Sequence, residues 1–93
     1  MRLIVVYDIS DDGDRLRVAR RLKSLGLRRI QRSAFIGRGG AALAKDVVRA
    51  VARYVRGPSD SLIVFIVPNE AVRRALVVGA RVGLETAKPY TAL

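Results

Sequence analysis

An antiparallel sheet with helices packed on one face, an α+β sandwich, is the architecture that three features of the sequence predict. Two short β-branched runs, RLIVVY at 2–7 and SLIVFIV at 61–67, are too brief for helices. Both are apolar on both faces, as strands in the interior of a sheet are. Between and after them lie segments whose apolar residues recur at helical spacing. Turn-forming stretches (DISDDGD, GRGG and GPSD) mark each change of pattern.

Taken in order, residues 2–7 form the first strand, and DISDDGD follows with several possible helix N-caps. A helix from about Asp12 to Leu25 gathers Val18, Ala19, Leu22 and Leu25 on one side and Arg17, Arg20 and Arg21 on the other. Arg15 falls inside the apolar sector, so it needs a nearby partner or must snorkel to the rim. Gly26 is the expected C-cap. Residues 28–37, RRIQRSAFIG, read as one strand with Arg29, Gln31, Ser33 and Phe35 on one face and Ile30, Ala34 and Ile36 on the other. A second helix over about 41–56 buries Leu43, Val47, Ala50, Val51, Tyr54 and Val55. Its opposite side carries a basic stripe of Lys45, Arg49, Arg53 and Arg56. After the 61–67 strand, Asn69 is expected to cap a third helix over about 69–78 that closes near Gly79. The tail can supply one short strand. A ferredoxin-like βαββαβ sandwich accounts for this order. Helices on one face leave the two-sided strands unexplained unless a second copy covers the other face, so a homodimer is expected. Residues 1–83 then form a single domain. The last ten residues have two possible paths, an edge strand exchanged with the partner subunit or a free tail.

Composition narrows the chemistry. Half of the 93 residues are apolar, enough for a core, in a chain short enough to gain from a partner subunit. With no Cys and no His, disulfides, Cys/His zinc sites and Ser–His–Asp or Cys–His catalysis are excluded. Oxygen-ligand metals remain open. No apolar run approaches the ~18 residues of a spanning helix and no signal pattern opens the chain, so a cytoplasmic protein without a membrane partner is expected. The formal net charge is +10, and fifteen of the eighteen basic residues are Arg. The planar fork of Arg suits phosphate, so nucleic acid is the expected partner.

Against that charge, Asp8, Asp11, Asp12 and Asp14 put half of the eight carboxylates into one short stretch. A calcium loop aligned on Gly13 would take Asp8, Ser10 and Asp12 as ligands but ends on Ala19 where a bidentate Glu is required. GRGG lacks the spacing and the Lys-Ser/Thr ending of a phosphate loop. Asp11, Asp12 and Asp14 suit a helix start, where carboxylates cap free N–H groups and favour the dipole. Asp8 follows an apolar strand directly and is expected to be partly buried beside Arg15. It must then be paired or bind metal, and both readings stand.

The stretch YDISDDGDRLRVARRLKSLGLRRIQRSAFIG resembles the N-terminal half of the CRISPR-associated protein 2 family. The resemblance lies in Tyr7, Asp8 and Ile9 closing the first strand, Arg15 and Arg17 in a basic helix, Gly26, and Gln31, Ser33 and Phe35 in the next strand. FIVPNEAVRRALVVG resembles the family's third strand and helix, and Ala34 stands where the family usually has Val. The resemblance implies a homodimer that joins CRISPR-associated protein 1, the integrase, in spacer acquisition. It also implies a metal-dependent endonuclease on RNA or DNA, with Asp8 of each subunit sharing Mg2+ or Mn2+ across the two-fold axis. Arg15 and Arg17 would clamp the phosphate, and Tyr7, Arg29, Ser33 and Phe35 would support the site, although dimer-core packing is the plainer role for Tyr7 and Phe35. Ser33 has no His partner and so is not a nucleophile. Facing carboxylates repel without a cation, so cleavage should depend on metal and on pH.

Two other functions compete. In one, the same fold is a non-catalytic adaptor whose stripes (Arg17, Arg20 and Arg21; Lys45, Arg49, Arg53 and Arg56) bind duplex backbone while the integrase does the chemistry. In the other, it is a toxin-like ribonuclease. An RNA-recognition module is disfavoured by the 61–67 strand, which lacks the basic and Gly-aromatic pattern used for stacking.

Overall fold

The first apolar run becomes the interior of the sheet. A computed structural model of the chain describes residues 1–80 together with 84 and 88–89. Strand β1 (Arg2–Asp8) leads into helix α1 (Asp12–Ser24), strands β2 (Arg28–Gln31) and β3 (Ala34–Arg38), and helix α2 (Ala41–Val51), which ends in a 3-10 turn (Ala52–Tyr54). Strand β4 (Ser61–Val67), helix α3 (Asn69–Arg73) and strands β5 (Leu76–Val77) and β6 (Lys88–Pro89) follow. The antiparallel sheet has the order β2-β3-β1-β4, and β5 and β6 form a separate parallel pair. This is the predicted ferredoxin-like α+β arrangement. The exchange of the tail with a partner falls largely on residues outside those described.

Alternation along β1 decides which face is covered. Leu3, Val5 and Tyr7 point into a core with Phe35 from β3, Val18 and Leu22 from α1, and Val47 and Val51 from α2. Each large side chain in it contributes about 1.5–3 kcal/mol by leaving water. Ile4 and Val6 point the other way, paired across the ladder with Phe65 and Ile63. Those two β4 residues are each 49% exposed. Ala71, Val72 and Ala75 meet Ile4, Ile30, Val67 and Leu84 around a hollow of about 100 Å³. The segment around α3 therefore reaches this outer face at its Arg2 end and leaves the Ile63–Phe65 region open.

Helix α1 starts and stops as its sequence dictates. The Asp11 carboxylate accepts from the Asp14 N–H at 2.8 Å, and Gly26 follows the helix with a φ of 89°. The Leu27 N–H reaches the Leu22 carbonyl and the Gly26 N–H that of Lys23, a Schellman close. Leu27 then lies against Gly37, where a Cβ would come within 2.6 Å of Leu27 Cγ, so only glycine fits beneath it.

Four boundaries differ from what the sequence predicts. Residues 28–37 are a hairpin with Arg32 and Ser33 at its turn, so they supply two strands instead of one. The alternation resets there, placing Arg29 opposite Phe35. Helix α2 tightens into a 3-10 turn for its last residues, and α3 is shorter than predicted because β5 begins at Leu76. Pro68, not Asn69, occupies the N-cap of α3, with no side-chain cap bond.

Candidate functional site

Asp8 is the last residue of β1 and shares the outer face with Ile4 and Val6. It is exposed, lies opposite Ser61 in the ladder, and its side chain makes no hydrogen bond or ion pair among the described residues. The expected pairing with Arg15 is not formed. Arg15 is half-buried on α1, and its guanidinium donates to the Ile9 carbonyl at 3.3 Å and to the Asp12 carboxylate. The reason is local. Asp12 lies one helical turn from Arg15, whereas Asp8 ends a strand on the face away from the helices.

The loop after Asp8 is held by Asp60, whose GPSD stretch the sequence marks only as a helix stop. The Asp60 carboxylate accepts from the Ser10 N–H and hydroxyl, both at 3.0 Å, and from the Gly57 N–H at 2.9 Å. Those bonds, led by the backbone N–H groups of Ser10 and Gly57, hold the Asp60 pKa below the usual carboxylate range. The sequence signal was an Asp closing a Gly-Pro-Ser turn, where such a side chain bonds nearby backbone. A lowered folded pKa means that this stabilisation is present above the ordinary carboxylate pKa and is lost as pH falls through the folded value. Asp60→Asn is therefore expected to flatten the loss of thermal stability below about pH 4, read from melting temperature against pH.

The acidic cluster divides differently from the expectation. Asp11 caps the helix as predicted and Asp12 pairs with Arg15. Asp14 is not simply a helix starter. It is only 2% exposed and accepts from Arg17 at 3.1 Å and from Arg56 at 3.0 and 3.1 Å. This bridge fastens the start of α1 to the chain beyond the 3-10 turn. Asp14→Ala removes the common acceptor of two guanidinium groups and should cost about 1–3 kcal/mol in a urea titration.

The remaining candidates fall into two groups. Tyr7 and Phe35 lie in the core of the single chain, with ring centroids 6.3 Å apart, beneath the helices and on the face away from Asp8. They are therefore not dimer-core residues. Arg29 stacks 5.2 Å from the Phe35 ring, and the Ser33 carbonyl in the hairpin turn accepts from the Tyr7 N–H at 3.0 Å. The basic residues line the helical side. Arg17, Arg20 and Arg21 are exposed on α1, Lys45 and Arg49 on α2, and Arg53 and Arg56 on and after the turn that ends it. Tyr54 draws the stripes together, with Arg53 over its ring at 4.9 Å and Arg21 on its hydroxyl. Burial works to raise the phenol pKa, but the combined pull of Arg21 and Arg53 outweighs it and holds the pKa below the ordinary tyrosine value. Arg17 and Arg56 add to the basic surface while bound to Asp14.

Three features suit a phosphate-handling protein: an exposed carboxylate with no partner among the described residues, a loop fixed behind it, and converging arginines. None of the described helices is long and apolar enough to cross a membrane. The family model for CRISPR associated protein Cas2 matches residues 1–75. The CRISPR-associated endoribonuclease Cas2 of Aeropyrum pernix is 38% identical over 77 residues, covering 83% of this chain and 84% of the relative. A CRISPR-associated endonuclease Cas1/endonuclease Cas2 fusion of Thermoproteus tenax is 41% identical over 81 residues, covering 87% of this chain and 31% of the fusion. The crystal structure of hypothetical protein TT1823 from Thermus thermophilus superposes with a TM-score of 0.65 at 34% identity, covering 73% of this chain and 82% of that one. The matched residues run from β1 through α3 and include every side chain placed at the site above, so the chain belongs to the CRISPR associated protein Cas2 family.

Proposed function

We propose that the protein is a homodimeric, metal-dependent endonuclease on RNA or DNA phosphodiesters that serves the spacer-acquisition stage of CRISPR immunity beside the Cas1 integrase. One observation carries the enzymatic reading: Asp8 is exposed, and its side chain is unpaired among the described residues, on the same face as the half-exposed Ile63 and Phe65. A second copy packed on that face would shield the two apolar side chains and bring a second Asp8 to the first. Among the described residues no three potential metal ligands group together, and a second copy on this face would add its Asp8 as a further oxygen ligand. Hard oxygen donors suit Mg2+ or Mn2+, with waters completing the coordination. Such an ion, when bound, supplies charge neutralisation at phosphorus and a more acidic water.

The chain's own residues do the rest. Asp60 keeps the loop behind Asp8 in one conformation by fixing Ser10. Arg17, with half of its side chain exposed, presents a guanidinium that can hold a backbone phosphate while still bonded to Asp14. The basic residues gathered around Tyr54 hold the strand to the helical side by neutralising phosphates.

The adaptor reading is favoured by a different observation, the convergence of α1 and α2 cations at Tyr54, which needs no carboxylate. The relative in which Cas1 and Cas2 are one chain also suits it. The test is cleavage of end-labelled RNA and duplex DNA with Mg2+, after EDTA, and after Mn2+ is added back. Cutting that stops with EDTA and returns with metal is expected. Binding of both nucleic acids without cutting under any condition would replace the endonuclease by the adaptor.

A further inference from the structure

At the end of β1 opposite Asp8, about 20 Å along the strand, a hollow of about 390 Å³ is lined by Met1, Arg2, Arg38, Asn69 and Arg73. Arg2 and Arg38 face each other directly in the β1–β3 register. Directly opposed like charges work against strand pairing. Yet neither arginine meets an acid among the described residues. Arg73 bonds Glu70 at 2.8 Å, so among the described residues three guanidinium groups over the hollow meet one carboxylate and two positive charges have no acidic partner. The strand ends that carry the pair are fixed, since the Gly39 N–H donates to the Met1 carbonyl at 3.0 Å. Arg2 and Arg38 also border a second hollow of about 400 Å³ with Gly26 and Gly37. Arginine forks around an open, polar hollow match the oxygens of a phosphate group.

We propose that Arg2, Arg38 and Arg73, with the Asn69 amide, form a phosphate-binding site separate from Asp8 and from the helical stripes. The phosphate belongs either to the backbone of a nucleic-acid strand or to a free nucleotide. Only the first source rests on the nucleic-acid reading above.

The full chain, Arg2→Gln/Arg38→Gln, Arg32→Gln in the exposed hairpin turn and Arg2→Glu are titrated with sodium pyrophosphate by calorimetry and with labelled duplex DNA between 50 and 200 mM KCl. Pyrophosphate is expected to bind the wild type and Arg32→Gln alike, and about tenfold or more weakly to Arg2→Gln/Arg38→Gln. The slope of log affinity against log salt for duplex should fall by about 1.8 in that variant. Arg2→Glu can pair with Arg38, so it should melt no lower than wild type and still lose pyrophosphate. Loss of pyrophosphate with an unchanged duplex slope assigns the site to free nucleotides, and a reduced slope alone assigns it to backbone. If both measurements are unchanged in Arg2→Gln/Arg38→Gln, the site does not exist. Failure of the wild type to bind duplex refutes the nucleic-acid reading and leaves the pyrophosphate titration to decide this one.

Discussion

Asp8→Asn is expected to lower metal-dependent cleavage by about a hundredfold or more while stability stays within about 0.5 kcal/mol of the wild type. The two halves of that expectation come from one fact. The Asp8 carboxylate makes no bond among the described residues, so folding loses nothing when its charge is removed. Asn keeps the shape and one oxygen, but it is a far weaker ligand for a hard divalent ion. Initial rates on labelled RNA and duplex DNA, with a urea titration of the same samples, check both parts. Unchanged cleavage would move the chemistry away from Asp8. A loss of cleavage together with stability would make Asp8 structural.

Phe35→Ala is expected to cost about 3–5 kcal/mol, a large fraction of the 5–15 kcal/mol that holds a small domain together. Phe35 is fully buried, stacks on Tyr7 and carries Arg29 over its ring. It also sits in β3 between β2 and β1, so a cavity there loosens both ladders. Phe35→Leu keeps much of the volume and should cost roughly 1.5 kcal/mol or less with cleavage retained. Should Phe35→Leu fold like the wild type and still fail to cut, the ring would have a direct part in the reaction. Urea unfolding and the cleavage assay on both variants separate the two roles.

What the sequence disclosed follows the physics of each signal. The central strands and the buried sides of α1 and α2 were legible because hydrophobic period reports burial directly. Arg15 in the apolar sector was legible for the same reason, and it does find partners, although they are Ile9 and Asp12. The hairpin was not legible. Two-residue hairpin turns usually announce themselves with Asn-Gly or a similar pair at positive φ. Here Arg32 and Ser33 both keep negative φ, and a register shift between Arg29 and Gln31 accommodates the turn. Arg-Ser inside an alternating run therefore reads as more strand.

The site was legible in part. Asp8 stood out because a carboxylate directly after an apolar strand is unusual, but its face could not be known before the pairing of β1 with β4 was. Asp14 and Arg56 are 42 positions apart, and no local pattern links them. Asp60 was hidden for the same reason, since its partner Ser10 lies 50 positions away. Long-range polar contacts leave no periodic trace.

The order β2-β3-β1-β4 has a consequence for synthesis. Leu3 is hydrogen-bond-ladder neighbour to Gly37 on one side and Ile66 on the other. The first strand of this sheet to be made is thus the one whose second partner, β4, is the last strand of the sheet to be made. At ~5–20 residues per second, Ile66 is added roughly 3–13 s after Leu3. Throughout that interval the nascent chain carries an apolar segment with one flank unpaired. Any chain truncated ahead of β4 keeps that flank open permanently and has no native sheet to complete.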